Sequence, residues 1–216
     1  SISSDTDEWQ LRVDLAAAFR LAAHYNWHEA VANHLSLAVS PDGKTFLMNP
    51  RWRHFSRIKA SELLLLDSTD SETMNRPDAP DLTAWCLHGR LHAALPQARC
   101  IIHLHPTYGT VLASLTDPEI LPIDQNTARF YNRVAFDLDY GGMANTTEEG
   151  DRIAALMGNK QIMMLGNHGV LVCASTFFSW ITAGLGSGIG SPVSGTLISR
   201  IFSFPPITSR ISSLRV

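Results

Sequence analysis

The feature that most restricts the fold of this chain is the alternation of helix-like and strand-like hydrophobic patterns along residues 7–176. An opening segment has an apolar residue at every third or fourth position, as on one face of a helix. These residues follow Asp7 and are Leu11, Leu15, Phe19 and Ala22. Short apolar or alternating runs predict strands at residues 34–39, 45–48, 63–66, 100–104, 161–165 and 170–173. Interleaved elements of this kind predict a layered α/β domain.

Capping residues and prolines mark the ends of the predicted helices. Asp81 can cap a helix that ends at Leu95, because Pro96 cannot continue the backbone hydrogen-bond pattern. Pro106 suits the first turn of the next helix, which follows the strand at residues 100–104 and carries Tyr108, Leu112 and Leu115. A capping-box pattern at residues 146–149 opens a further helix.

Overall charge and cysteine content narrow the classes of partner and compartment. A formal net charge of −3 over 216 residues leaves no basic excess for a phosphate backbone, so we expect a small molecule rather than nucleic acid. No two of the three cysteines form a C-x-x-C pair. Residues 1–9 lack the basic and apolar regions of a secretory signal. We therefore expect one globular domain in the cytoplasm, without a membrane span.

The pattern with the clearest chemistry is His103-Leu104-His105. Residues two apart on a strand point to the same face, so both imidazoles can face one metal ion. The alternative is that they are two polar residues at the end of a strand. His168 lies in a Gly-Asn-His-Gly turn, whose glycines allow backbone angles that aim the side chain away from a sheet. Three histidine ligands leave one coordination position open, as in catalytic zinc sites, but spacing alone does not bring His168 to the other two.

Short fragments in a particular order carry a family resemblance. They are Asn33-His34-Leu35-Ser36, Met48-Asn49-Pro50, Ala60-Ser61-Glu62-Leu63, Asp67, His88, Ile102-His103-Leu104-His105, Leu121-Pro122-Ile123, Phe130-Tyr131 and Leu165-Gly166-Asn167-His168-Gly169. In this order and spacing, residues 9–176 resemble the class II aldolase/adducin family, which includes sugar-phosphate aldolases, an epimerase, decarboxylases and the adducin head. The resemblance implies a three-layer α/β/α sandwich with a central, mainly antiparallel sheet, assembled as a homotetramer.

The resemblance also implies roles for individual residues. It identifies His103, His105 and His168 as ligands of a divalent metal ion, with Zn²⁺ as the first candidate. It places Asn33 and His34 at the substrate pocket.

One departure from the family pattern concerns proton transfer. Ala84 stands where the phosphate-sugar aldolases have a glutamate that serves as acid and base, and an alanine cannot transfer a proton. We predict that His88 takes this role, since imidazole titrates near neutral pH; a packed or solvated histidine, paired with His92 on one helical face, is the alternative. Tyr131 is a second candidate, as an acid contributed across a subunit boundary, with aromatic packing as its alternative.

A second departure concerns phosphate recognition. Arg51-Trp52 replaces the Thr-Gly that binds phosphate in the family's aldolases. We predict that Arg51 or Arg53 binds a carboxylate or phosphate through its guanidinium group. The alternative is that it belongs to a solvated basic loop.

The family resemblance, together with these residues, implies a metal-dependent lyase of the class II aldolase type. It would cleave or form a carbon–carbon bond in a small hydroxy-carbonyl or sugar-derived substrate through a metal-stabilised enediolate. Decarboxylation and epimerisation can proceed through the same kind of metal-stabilised intermediate. The alternative is an adducin-like interaction module or a catalytically inactive paralogue, because the acid/base glutamate is missing.

The composition changes near Thr176. Residues 177–216 contain three arginines but no Asp, Glu, Lys or His, and 17 of the 40 are Ser, Gly or Pro. The family resemblance ends at the same place. We therefore predict a family domain over residues 8–176 and an atypical tail over 177–216, which is out of the ancestral reading frame or otherwise replaced.

Overall fold

The computed structural model describes residues 4–125, 127–139 and 142–175. The α-helices of these ranges are α1 (Ser4–His24), α2 (Leu82–Ala94), α3 (Thr107–Ala113) and α4 (Thr147–Met157). The strands are β1 (His34–Ala38), β2 (Thr45–Met48), β3 (Leu64–Asp67), β4 (Cys100–Leu104), β5 (Val134–Asp137), β6 (Ile162–Leu165) and β7 (Gly169–Ala174). Their order along the chain confirms the predicted alternation of helices and strands.

The seven strands form one sheet in the order β3-β2-β1-β4-β7-β6-β5. Neighbouring strands are antiparallel except β5 and β6, so the predicted mainly antiparallel sheet is confirmed. β4 is the central strand, between β1 and β7. In this register His103 of β4 lies opposite His34 of β1 and Leu171 of β7, so the middle of the sheet carries two histidines side by side.

Side chains of β4 alternate between the two faces of the sheet. Ile102 and Leu104 pack in a core with α1 and α3. Ile101 packs in a second core with α2 and α4, where Leu91 is fully buried. Two helical layers therefore enclose the sheet, as expected for an α/β/α sandwich. His103 is two residues beyond Ile101 and shares the α2 and α4 face.

The predicted boundaries of α2 are confirmed. A side-chain oxygen of Asp81 accepts a hydrogen bond from the backbone N–H of Thr83 at 2.9 Å, which caps the first turn. The helix ends two residues before Pro96. This placement of α2 turns His88 and His92 toward β1.

Other boundaries differ from the sequence prediction. α1 begins at Ser4 rather than after Asp7, and α3 ends at Ala113, so Leu115 lies beyond it. β5 is absent from the sequence prediction, because four residues are too few to show a clear alternation. Its parallel pairing with β6, which is distant in sequence, defines it as a strand.

No helix in the described ranges is both long and apolar enough to cross a lipid bilayer. The predicted tail, residues 177–216, lies outside the described residues.

Candidate metal centre and adjoining cavity

Three imidazoles converge beyond the C-terminal end of β4. His103 lies on this strand, His105 follows it, and His168 lies in the turn between β6 and β7. The Nε2 atoms of His103 and His105 are 2.9 Å apart, and those of His103 and His168 are 3.2 Å apart. One possible ligand atom of each ring lies within 4.8 Å of the other two. The β4 and β7 pairing therefore brings together three histidines that sequence spacing alone does not join.

The turn that carries His168 depends on a close approach of two backbones. A Cβ atom on Gly169 would lie 2.5 Å from the carbonyl oxygen of Leu104 and 2.7 Å from Cδ2 of His105. Asn167 has a φ of +54°, in the left-handed region that asparagine tolerates better than most residues. Because glycine has no side chain, β7 can approach β4 closely at position 169, and this places His168 beside His105.

Hydrogen bonds at the outer ring nitrogens orient two of the imidazoles. Nδ1 of His103 donates to the carbonyl oxygen of Val170 at 3.1 Å, and Nδ1 of His105 donates to a carboxylate oxygen of Glu29 at 2.6 Å. A neutral imidazole that donates from Nδ1 carries a lone pair on Nε2. Two such lone pairs that face each other at 2.9 Å repel unless a cation lies between them. The donor set therefore fits a metal ion.

The distance between Nε2 of His103 and Nε2 of His168 is close to that expected for two zinc ligands, and the distance between Nε2 of His103 and Nε2 of His105, 2.9 Å, is shorter. Zn–N bonds of about 2.0–2.1 Å place two ligands of a tetrahedron roughly 3.3 Å apart. The Nε2 atoms of His103 and His168 are 3.2 Å apart. Glu29 and Val170 are outer partners of the kind that metal-binding histidines use. Imidazole also suits other divalent transition metals, so the donors define a class of ion rather than a single one.

Burial and mutual proximity disfavour protonation of His103 and His168. The pKa of His103 is lowered well below its usual value, first by burial and then by the neighbouring imidazole of His34. Burial, followed by the proximity of His105, lowers the pKa of His168 to about 4. At neutral pH these imidazoles therefore keep a lone pair for a ligand.

A cavity of about 520 Å³ adjoins the cluster on the α2 and α4 side of the sheet. Its walls include His34, His103 and His168, so the cavity reaches the three-histidine cluster. Several further walls are apolar: Leu87, Ile153, Leu165 and Leu171. An apolar cavity with a few polar groups at one side is typical of a small-molecule site.

The same cavity is lined by two carboxylates, both paired with one arginine. Nη1 and Nη2 of Arg152 donate to the two carboxylate oxygens of Asp137 at 3.0 and 2.6 Å. Nε and Nη2 of Arg152 also donate to Glu149, at 2.8 and 2.7 Å, and these bonds raise the pKa of Arg152. The cavity walls that the structure describes include no lysine or arginine. They therefore offer no free cation to a phosphate group.

The predicted residues on β1 and α2 differ in their access to the cavity. His34 lines it. Asn33 is 2% exposed; its Oδ1 accepts the backbone N–H of Glu29 at 2.6 Å, and its Nδ2 has no partner among the described residues. His88 is 0% exposed, and its two ring nitrogens contact His34 and Ser36. His88 therefore does not reach the cavity itself and meets it only through His34.

Arg51 and Tyr131 lie on the surface, and neither belongs to the described walls of the cavity. Arg51 is exposed in the loop after β2. Tyr131 follows the short 3₁₀ helix Thr127–Phe130, and 61% of it is exposed. The predicted role of Tyr131 across a subunit boundary requires a second copy of the chain.

Four residues near the site were not predicted to be site residues: Glu29, Ser36, His92 and Arg152. Two of them carried a signal, because His92 shares a helical face with His88, and Ser36 lies two positions after His34 on a strand. Glu29 and Arg152 carried no such signal in the sequence. Their partners His105 and Asp137 are 76 and 15 residues away, so only the fold brings them together.

Comparisons with known proteins agree on one family. The family model described as Class II Aldolase and Adducin N-terminal domain matches residues 13–181. The "Putative aldolase class 2 protein" of Caulobacter vibrioides is 35% identical over 169 residues, which cover 78% of this chain and 65% of that protein. Alpha-adducin of Rattus norvegicus is 31% identical over 176 residues, which cover 79% of this chain and 23% of adducin.

A solved structure shares both sequence and fold with the chain. An aldolase II superfamily protein from Pseudomonas syringae is 28% identical, with a TM-score of 0.72, and the match covers 95% of this chain and 84% of that one. The chain spans less than two thirds of the length of the Caulobacter relative. The family model nevertheless matches well over half of the present chain. This chain therefore belongs to the class II aldolase and adducin N-terminal domain family.

Proposed function

We propose that the chain is a metal-dependent lyase of the class II aldolase type, with zinc as the preferred ion. The observation that carries the proposal is the convergence of three imidazoles beside an apolar cavity. Three protein nitrogens leave one coordination position for a substrate oxygen, as in catalytic zinc sites. An ion bound there would supply a Lewis acid that polarises a carbonyl and stabilises an enediolate while a carbon–carbon bond breaks or forms.

The substrate that fits this proposal is a small hydroxy-carbonyl or sugar-derived compound, and the described walls of the cavity do not select one that carries a phosphate group. The described walls of the cavity contain no lysine or arginine, and Arg152 is already paired with Asp137 and Glu149. The apolar walls favour a substrate with a hydrocarbon part. Arg51, exposed outside these walls, stays a predicted carboxylate or phosphate contact. Decarboxylation and epimerisation of such compounds belong to the same proposal.

Proton transfer in this proposal needs a group other than residue 84. Ala84 stands where the phosphate-sugar aldolases have their acid/base glutamate. We propose that His34 is the imidazole at the cavity and that the predicted acid/base residue His88 acts on it from behind, through the 2.7 Å hydrogen bond between Nδ1 of His34 and Nε2 of His88. Tyr131 stays a predicted acid for the site of a neighbouring copy, which agrees with its 61% exposure. A homotetramer and a cytoplasmic location belong to the same proposal.

An adducin-like interaction module, or an inactive paralogue, is the second candidate. Ala84 and the 31% identity to alpha-adducin favour it. Such a protein has no need of a filled three-histidine site. Metal content therefore separates the two candidates.

The test is elemental mass spectrometry on three purified proteins: the parent, His168→Ala and His24→Ala. His24 is exposed at the end of α1, far along the chain from the cluster, and serves as the matched control. We expect close to one zinc ion per chain in the parent and the control, and its loss in His168→Ala. A parent that is folded by circular dichroism, contains no metal and takes up none from added zinc would establish the second candidate instead.

We also propose that residues 8–176 form the family domain and that residues 177–216 are a replaced or frame-shifted tail. Translation of the other reading frames of the coding DNA tests this. A family-like amphipathic helix in one shifted frame would support the proposal, and its absence from both would reject the frame shift.

A further inference from the structure

A row of buried polar groups leads from the edge of the cavity into the layer between β1 and α2. Nδ1 of His34 is 2.7 Å from Nε2 of His88, and Nδ1 of His88 is 2.5 Å from Oγ of Ser36. Oγ of Ser36 is 2.7 Å from Nε2 of His92, and Nδ1 of His92 is 2.5 Å from the carbonyl oxygen of Ala98. We call these five groups the histidine row. All four of its side chains are buried.

The last member of the row determines the direction of every hydrogen bond in it. A carbonyl oxygen only accepts, so Nδ1 of His92 donates to Ala98, and Nε2 of a neutral His92 must accept. Ser36 has a single hydroxyl hydrogen and gives it to His92. Its oxygen therefore accepts from Nδ1 of His88, whose Nε2 in turn accepts from Nδ1 of His34. Every imidazole of the row then carries its hydrogen on Nδ1.

This direction requires neutral imidazoles, and the surroundings of the row supply that condition. No described carboxylate is hydrogen-bonded to any of the three histidines, and burial lowers the pKa of His92 to about 3. Burial also lowers the pKa of His88 well below its usual value. Neutral imidazoles are therefore the stable forms at physiological pH.

The outer end of the row lies at the metal centre. His34 lines the cavity, and its ring lies 4.9 Å from that of His103, between centroids. Nδ1 of His34 is used by His88, and none of the described residues is hydrogen-bonded to Nε2 of His34. The row therefore leaves a bare Nε2 lone pair on the residue that faces the cavity.

We propose that Nε2 of His34 is a fixed hydrogen-bond acceptor that selects substrates with a hydroxyl group next to the carbonyl, and that His88, Ser36 and His92 are positioning residues that hold it in this form. The inference rests on the proposed function, because it concerns the substrate of the same site. It assigns the acceptor role to a residue that touches the cavity. His88, which was predicted as an acid or base, acts behind it.

The first test reads the tautomers directly. Protein labelled with ¹⁵N in histidine distinguishes a protonated from a bare ring nitrogen by chemical shift, and His34→Gln assigns the His34 signals. We expect hydrogen on Nδ1 and a bare Nε2 for His34 in the parent and in Ser36→Thr, which keeps the hydroxyl. Ser36→Ala interrupts the row and should give a mixture of tautomers at His34. Ser114→Ala, the same change at the hydroxyl that donates to Thr110 on α3, should leave His34 unchanged.

The second test uses two small ketones as probes, hydroxyacetone and acetone, which differ by one hydroxyl group. We expect hydroxyacetone to shift the Nε2 signal of His34 in the zinc-loaded parent and to bind about tenfold more tightly than acetone, as one added hydrogen bond predicts. Ser36→Ala should lose that preference, and Ser36→Thr should keep it.

Several results would overturn the inference: hydrogen on Nε2 of His34 in the parent, an unchanged His34 tautomer in Ser36→Ala, or equal or absent responses to the two ketones. Failure of the proposed function gives a different result. A protein that binds no zinc but has the expected tautomer would refute the lyase proposal and leave the histidine row intact. A protein that binds zinc but carries hydrogen on Nε2 would do the reverse.

Discussion

Buried neutral histidines make the stability of this protein sensitive to acid, and His92 offers the cleanest measurement. It is fully enclosed between Ser36 and Ala98 and is not part of the candidate metal centre. Burial lowers the pKa of His92 from 6.5 to about 3. The unfolded chain therefore binds a proton at this residue in a pH range where the folded chain does not. Stability must fall as the pH drops below about 6.5 and continue to fall toward about 3.

The size of the effect follows from linkage. At pH 5 an unfolded histidine with a pKa of 6.5 gains about 2 kcal/mol from protonation, while a folded one with a pKa of about 3 gains almost nothing. At pH 7.5 neither form gains appreciably. The free energy of unfolding should therefore fall between pH 7.5 and pH 5 by about 2 kcal/mol more in the parent than in His92→Gln, which cannot titrate.

Urea denaturation of both proteins at the two pH values, at one protein concentration, measures this difference. Any general destabilisation by the glutamine cancels, because only the change with pH is compared. His24→Gln, the same substitution at an exposed side chain near the end of α1, is the matched control. An equal loss of stability in the parent and in His92→Gln would refute the reasoning that His92 is buried as a neutral imidazole.

Two further predictions concern the metal centre. Glu29→Gln replaces the carboxylate that orients His105 at 2.6 Å, and we expect the zinc dissociation constant, measured by competition with a chromophoric chelator, to rise by about 10- to 100-fold; unchanged affinity would mean that Glu29 does not orient the ligand. Gly169→Ala places a Cβ atom 2.5 Å from the carbonyl oxygen of Leu104, so it should cost about 1–3 kcal/mol in urea denaturation and weaken zinc binding; a zinc affinity equal to that of the parent would contradict the role of this close approach.

Local patterns in the sequence were sufficient for most helices and strands, whereas the three-layer sandwich with a mainly antiparallel sheet was implied by the family resemblance. The cap at Asp81 and the proline at position 96 bounded α2 correctly, because both act through the backbone of adjacent residues. The edge strand β5 escaped prediction, because its four residues become a strand only through pairing with the parallel strand β6. The boundaries of α1 and α3 were also missed, by about a turn or less.

The candidate site was predictable only in part. His103 on β4 and His105 just beyond its end point to one side for a reason visible in the sequence, the two-residue period of an extended chain. The sequence also marked His88, but burial and two hydrogen bonds separate it from the cavity, and no local pattern reveals burial. No sequence pattern identified the carboxylate of Glu29 as a partner of His105, which is 76 residues away.

The sequence by itself determined which chemical groups are present and their local placement, namely a histidine pair on one strand face, a third histidine in a glycine-bounded turn, and an alanine at position 84. The tertiary structure alone decided that His168 meets that pair, and that His34 lies at the end of a buried row with its Nε2 free. The physical reason is the separation along the chain over which each effect acts. Backbone periodicity and capping act over a few residues, whereas sheet register and helix packing join groups more than 50 residues apart.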